Sequence, residues 1–83
     1  MTVLETIRAE AHEHRTVVVD ALEKDGSREV REVEPYSLRP GKNGTRLMFW
    51  CLKRNGMRSL LVHNIRGAEP TGRRFVPRYP VEF

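Results

Sequence analysis

Residues Arg46–Ile65, RLMFWCLKRNGMRSLLVHNI, hold two apolar runs, Leu47–Leu52 and Met57–Val62, separated by Lys53-Arg54-Asn55-Gly56. Asn-Gly accepts positive φ at both central turn positions, which makes it the strongest short-range signal for a tight hairpin. The first run is apolar on both alternating faces, with Leu47, Phe49 and Cys51 on one and Met48, Trp50 and Leu52 on the other. A half-solvated strand would alternate with polar residues. This run therefore reads as a central strand covered on both sides, with Trp50 and Cys51 in the core. The second run carries Arg58 beside Leu60 and Val62. A charge at one end of a buried strand is paired, at a rim, or there for a ligand.

A chain of 83 residues makes one domain with a single small core, which is marginal for stability. It contains no apolar run of about 18 residues, so no membrane span is expected. MTVLETIRAE carries two Glu and no apolar stretch of the signal-peptide kind. The single cysteine, Cys51, excludes an internal disulfide, and the composition fits a reducing cytoplasm. Asn43-Gly44-Thr45 matches a glycosylation sequon but reads as turn chemistry. His12 and His14 stand two apart on a helical stretch and point in different directions, so they do not form a metal site. No serine sits in a nucleophile elbow, no carboxylate pair lies in an apolar setting, and Cys51 has no evident base. No enzyme activity and no cofactor are expected.

Charge is distributed unevenly. Residues 1–36 hold five Lys/Arg and nine Asp/Glu, whereas residues 37–83 hold ten and two, giving net charges of −4 and +8. Twelve of the fifteen cations are Arg. Guanidinium makes planar two-point contacts with phosphate and carboxylate and stacks on aromatic faces. The basic half is either a solvated surface or the footprint of an anionic partner, most simply nucleic acid or a nucleotide.

From the N-terminus, Thr2-Val3-Leu4-Glu5 fits a capping box. Val3, Leu4, Ile7, Ala11 and His14 then recur at helical spacing, predicting an amphipathic helix over about 3–14. Arg15–Leu22 is β-branched and apolar and predicts a strand. Lys24-Asp25-Gly26-Ser27 is a turn. Arg28–Val33 returns as a second strand, which bends, ends or runs along an edge at Pro35, with Tyr36 and Leu38 resuming the apolar pattern. Pro40–Gly44 is a basic loop. After the hairpin, Asn64–Gly67 closes the fourth strand. Ala68–Phe75 is a weak fifth strand interrupted by Pro70 and Gly72, and Pro77–Phe83 is a proline-stiffened tail. The sum is a mainly β chain with one N-terminal α-helix. Its five short strands suggest a small, partly closed barrel over about 15–76.

Four landmarks occur in order: Arg31-Glu32-Val33-Glu34-Pro35-Tyr36-Ser37-Leu38; the apolar strand from Arg46; Gly56-Met57-Arg58-Ser59-Leu60 running to Ile65; and Phe75 with Pro77-Arg78. Together they resemble the WYL domain over roughly residues 3–80. The family's Trp-Tyr-Leu triplet reads Arg46-Leu47-Met48 here, and its Asp-Arg before the isoleucine reads His63-Asn64. The resemblance implies an SH3-like or Sm-like barrel. It also implies a non-enzymatic ligand-sensing module of bacterial transcription regulators, with nucleic acids or nucleotide-like molecules as the ligand class. Such modules usually follow a helix-turn-helix domain, for which the fourteen residues or so before the first strand leave no room.

Arg58 is the first candidate ligand contact, against an ion pair with Glu32 or Glu34. Arg31 matches a family position but has Glu29 and Glu32 beside it. Tyr36 offers a stacking face, or packs behind Pro35. His63 joins an anion site or is a satisfied strand-end histidine. Arg46, Arg66 and Arg78, with Arg73 and Arg74, form a basic rim. The expected partners are a single-stranded or cyclic oligonucleotide or another anionic ligand, together with a partner regulator protein or a second copy. The alternative is an assembly module in which the acidic half of one copy meets the basic half of another.

Overall fold

The Thr2 hydroxyl accepts from the Glu5 backbone N–H at 3.1 Å, and the Glu5 carboxylate accepts from the Thr2 N–H at 2.8 Å. This reciprocal cap opens α1, Val3–His12, in a computed structural model that describes residues 1–83. The helix stops two residues short of the expected end. His14 takes a left-handed φ of 54° while its N–H donates to the Ala11 carbonyl, which turns the chain into the sheet. Ile7 and Ala11 form the buried stripe, and α1 lies on β1 (Arg15–Leu22), β2 (Arg28–Arg39) and β5 (Ile65–Arg74).

With β3 (Arg46–Cys51) and β4 (Gly56–Leu61), these strands form one antiparallel sheet in the order β4-β3-β2-β1-β5. The expectation of a mainly β chain with one helix and five strands holds. The sheet is not closed into a barrel, because no ladder joins its end strands β4 and β5. Pro35 bends β2 without ending it. Residues 28–33 pair with β1 and residues 33–39 with β3, and the register shifts between Pro35 and Ser37.

The strand read as doubly covered buries one face only. Leu47, Phe49 and Cys51 are fully buried, whereas Met48 and Trp50 are half-buried on the opposite side. No second layer covers that side; only the segment after β5 reaches it, so Trp50 is not a core residue. Cys51 is. The hairpin turn is also longer than Asn-Gly implies. Cys51 pairs with Gly56, leaving a four-residue loop in which Asn55 alone has positive φ, at 53°. A 3-10 turn over Val62–Asn64 separates β4 from β5, so Ile65–Gly67 begins the fifth strand instead of ending the fourth. β5 tolerates Pro70 and a left-handed Gly72 (φ 78°) because it is an edge strand with β1 as its one strand partner. The core joins Ile7 of α1 to Val17 and Val19 of β1, Val33 of β2, Leu47 and Phe49 of β3, Leu60 of β4 and Ile65 of β5. No helix is long and apolar enough to cross a membrane.

Candidate functional site

The side on which the sheet stays open carries a groove of about 410 Å³. One wall is the β1–β2 connection, Leu22–Asp25; the other is Ser59–Leu61 of β4, with Arg46 and Asn64 at the ends. Leu22, Leu60 and Leu61 supply apolar surface. Arg46 Nη1 donates to Ser59 Oγ at 3.2 Å and has no carboxylate partner, so its charge is available to an anion.

The basic half is less free than its composition suggests. Seven of the twelve arginines are ion-paired, through Glu10, Asp20, Glu23, Glu29, Glu32, Glu34 and Glu82. Three pairs cross between the two halves: Glu29 with Arg54 at 3.4 Å, Glu32 with Arg73 at 2.6 Å and Glu34 with Arg78 at 3.1 Å. Antiparallel folding thus brings the acidic strands against their own counter-charges. The Arg73 guanidinium and then the Thr16 hydroxyl hold the Glu32 carboxyl below its ordinary range, although partial burial opposes them. The hydrogen bond from Arg28 does the same for Asp20.

The candidate residues divide among several places. Arg58 lies across from Phe49 in register, is exposed, and donates from Nη1 to the Met57 carbonyl at 2.9 Å. Its ion pair with Glu32 or Glu34 does not form, since those carboxylates hold Arg73 and Arg78. Arg66 is exposed and has no ion-pair partner, though its charge adds to the field on Asp20. His63 is exposed on the 3-10 turn, with its ring against Gly44. Arg31 is only 5% exposed. It donates to Glu23 at 2.7 Å, sits 3.4 Å from Glu29, and lies 5.9 Å from the centre of the Phe49 ring. Its charge is engaged inside the fold.

Tyr36 and Arg78 meet on the outer face, remote in sequence from each other. The Tyr36 hydroxyl donates to Glu34 Oε1 at 2.7 Å and accepts from the Arg78 backbone N–H at 2.9 Å. The Arg78 guanidinium reaches Glu34 from Nε at 3.1 Å and lies over the Trp50 ring at 4.3 Å. Phe75 and Tyr79 pack edge-on against Tyr36, with centroids at 5.7 and 5.6 Å. The sequence reads Trp50 as core and Glu34 only as a possible partner of Arg58, and it does not single out Tyr79. The available signal was Trp50 sharing strand parity with Met48 and Arg46 opposite the buried trio.

Burial pushes the Tyr36 phenol up to about 12, and the Glu34 carboxylate beside it acts in the same direction. The folded value lies above the 10.0 ordinary for a tyrosine, so Tyr36 contributes stability that is complete below pH 10 and lost as pH rises through about 12. Absorbance of tyrosinate should therefore show one of the two tyrosines ionising late, near the alkaline unfolding transition. Tyr36→Phe should abolish that late phase. Ionisation of Tyr36 near pH 10 would contradict the buried, hydrogen-bonded phenol.

The family model for the WYL domain matches residues 2–70. Among solved structures, the chain is similar to proteasome accessory factor B/C (PafBC) of Arthrobacter aurescens, with a TM-score of 0.78 at 18% sequence identity. That likeness covers 93% of this chain and 13% of the PafBC chain, so this chain spans a small part of its neighbour's length. No curated protein sequence matches it.

Proposed function

The chain belongs to the WYL domain family, and on that premise we propose that it is a non-enzymatic regulatory module that senses an anionic, nucleic-acid-derived ligand at the open side of its sheet. The observation that carries this reading is Arg46, a cation with no carboxylate partner at the end of a groove with apolar walls. A phosphate fits a guanidinium in two-point geometry, and a base plane fits Leu22, Leu60 and Leu61. Arg58 on β4 and Arg66 on β5 stand on the two end strands of the open sheet with their charges unpaired. His63, between those strands, adds a donor. Arg31, Tyr36 and Arg78 are engaged in internal contacts and take no part in this assignment. The head-to-tail assembly alternative is less favoured, because Glu29, Glu32 and Glu34 already hold arginines of the same chain.

The test is a titration of the full chain with a mixed pool of short single-stranded RNA and DNA, including cyclic oligonucleotides, at low and near-physiological salt. Saturable binding should persist at the higher salt. Arg46→Ala and Arg58→Ala should each weaken it about tenfold, the effect of one lost charge-assisted contact of roughly 1.5 kcal/mol, with little change in melting temperature. Binding confined to low salt would reduce the site to generic attraction between cation and phosphate. No binding at either salt, or full affinity in both variants, would sink the reading.

A further inference from the structure

After β5 ends at Arg74, residues 75–83 cross the outer face of β2 and β3 as an extended strap. It is held by the aromatic packing of Phe75 and Tyr79 on Tyr36, by Phe83 against the core, and by a short series of polar contacts. Besides the Arg78 contacts with Glu34, Trp50 and the Tyr36 hydroxyl, the Glu82 N–H donates to the Tyr36 carbonyl at 2.7 Å. Ser37 and Glu82 form an isolated parallel bridge, and Arg39 pairs with the Glu82 carboxylate. We propose that this face is a docking site for an extended, arginine-bearing segment of a partner protein, and that residues 75–83 are its resident occupant.

Three observations carry the assignment. The seat is built for a cation: Glu34 is 3% exposed, is already oriented by the Tyr36 hydroxyl, and has the Trp50 ring as the opposing wall. It is also built for extended backbone, since β2 offers the Tyr36 carbonyl and the Ser37 bridge position to a parallel segment. Finally, the strap fits it incompletely. A groove of about 300 Å³ stays open between Met48 and Met57 on one side and Tyr79 and Pro80 on the other. Separately, the Trp50 indole N–H is buried without an acceptor. A segment with arginine and a longer apolar residue two positions on would fill what residues 75–83 leave open. The strap competes as a tethered segment, so a partner needs either a better fit or a loosened strap.

Trp50 is the only tryptophan and reports on the site by its fluorescence. The full chain carrying Arg78→Ala keeps the seat and weakens the strap. Its circular dichroism should match that of the native chain. A synthetic peptide of residues 75–83 should change Trp50 emission saturably and bind this variant at least about tenfold tighter than the native chain, which its own strap protects. Replacing the peptide's arginine by alanine, or by neutral citrulline, should abolish binding, as should Glu34→Gln in the protein. The citrulline peptide keeps the test decisive if Glu34→Gln does not fold. A peptide with leucine at the position of Pro80 should bind tighter than the parent.

Absence of a saturable change in Arg78→Ala, or equal binding of the arginine and citrulline peptides, would overturn the proposal. So would a leucine peptide that binds no better, because the strap would then be the site's best occupant. Dimers formed between Arg78→Ala and native chains would assign the occupant to a second copy, and overturn the partner reading.

Discussion

Phe49→Ala should leave the chain at the edge of unfolding at 25 °C. Phe49 is fully buried at the centre of β3, with β2 on one side and β4 on the other. Its ring lies near the Arg31 guanidinium, and it belongs to the one hydrophobic cluster that links every strand to α1. Truncating a buried phenylalanine costs about 3–5 kcal/mol, through lost transfer energy and the cavity left behind. At roughly 0.05–0.15 kcal/mol per residue, a domain of this length has about 4–12 kcal/mol in all. Urea denaturation followed by circular dichroism should show most of the native baseline lost. A loss of less than about 1 kcal/mol would mean that the core does not centre on β3 as described.

Arg31→Ala should cost about 3 kcal/mol, the low end for breaking a buried ion pair. The low end applies because the stranded carboxylates, Glu23 and Glu29, are 28% and 20% exposed at the side chain and can turn toward water. The arginine itself is 4% exposed at the side chain, so its stem is buried, and its guanidinium lies near the Phe49 ring. Arg31→Met keeps that stem and should fall between the native chain and Arg31→Ala in a thermal melt. If Arg31→Ala melted like the native chain while losing affinity for oligonucleotides, the residue would be a ligand contact and its placement here as an internal ion-pair centre would fail.

The contrast between those two residues marks how far the sequence could be read. The Thr2–Glu5 cap was legible because its partners lie three residues apart and its chemistry is local. The first strand was legible from β-branching and the central hairpin from its two apolar runs. Phe49 was legible as core, since both readings of β3 bury it. Trp50 was not, because alternation separates two faces but does not say which one the rest of the chain covers. Arg31, Arg54, Arg73 and Arg78 looked like a surface field in composition. Their carboxylates are supplied by the β1–β2 connection and by β2, pairings fixed by register and by where the segment after β5 lands. Arg58 was legible as a charge in an otherwise apolar strand, and Arg46 only as one of a basic rim. Their places at a free edge and at the groove depended on the sheet staying open.

The shared strand β2 has a mechanical consequence. Its first half belongs to a three-stranded unit with β1 and β5, its second half to another with β3 and β4, and Val33 alone pairs on both sides. The fold therefore behaves as two small plates on one spine, with the crease at Val33–Ser37, where proline removes a donor and the register slips. The walls of the open groove stand on different plates, Leu22–Asp25 on one and Ser59–Leu61 on the other. Its aperture is set by the angle at the crease, and any molecule that bridges both walls fixes that angle.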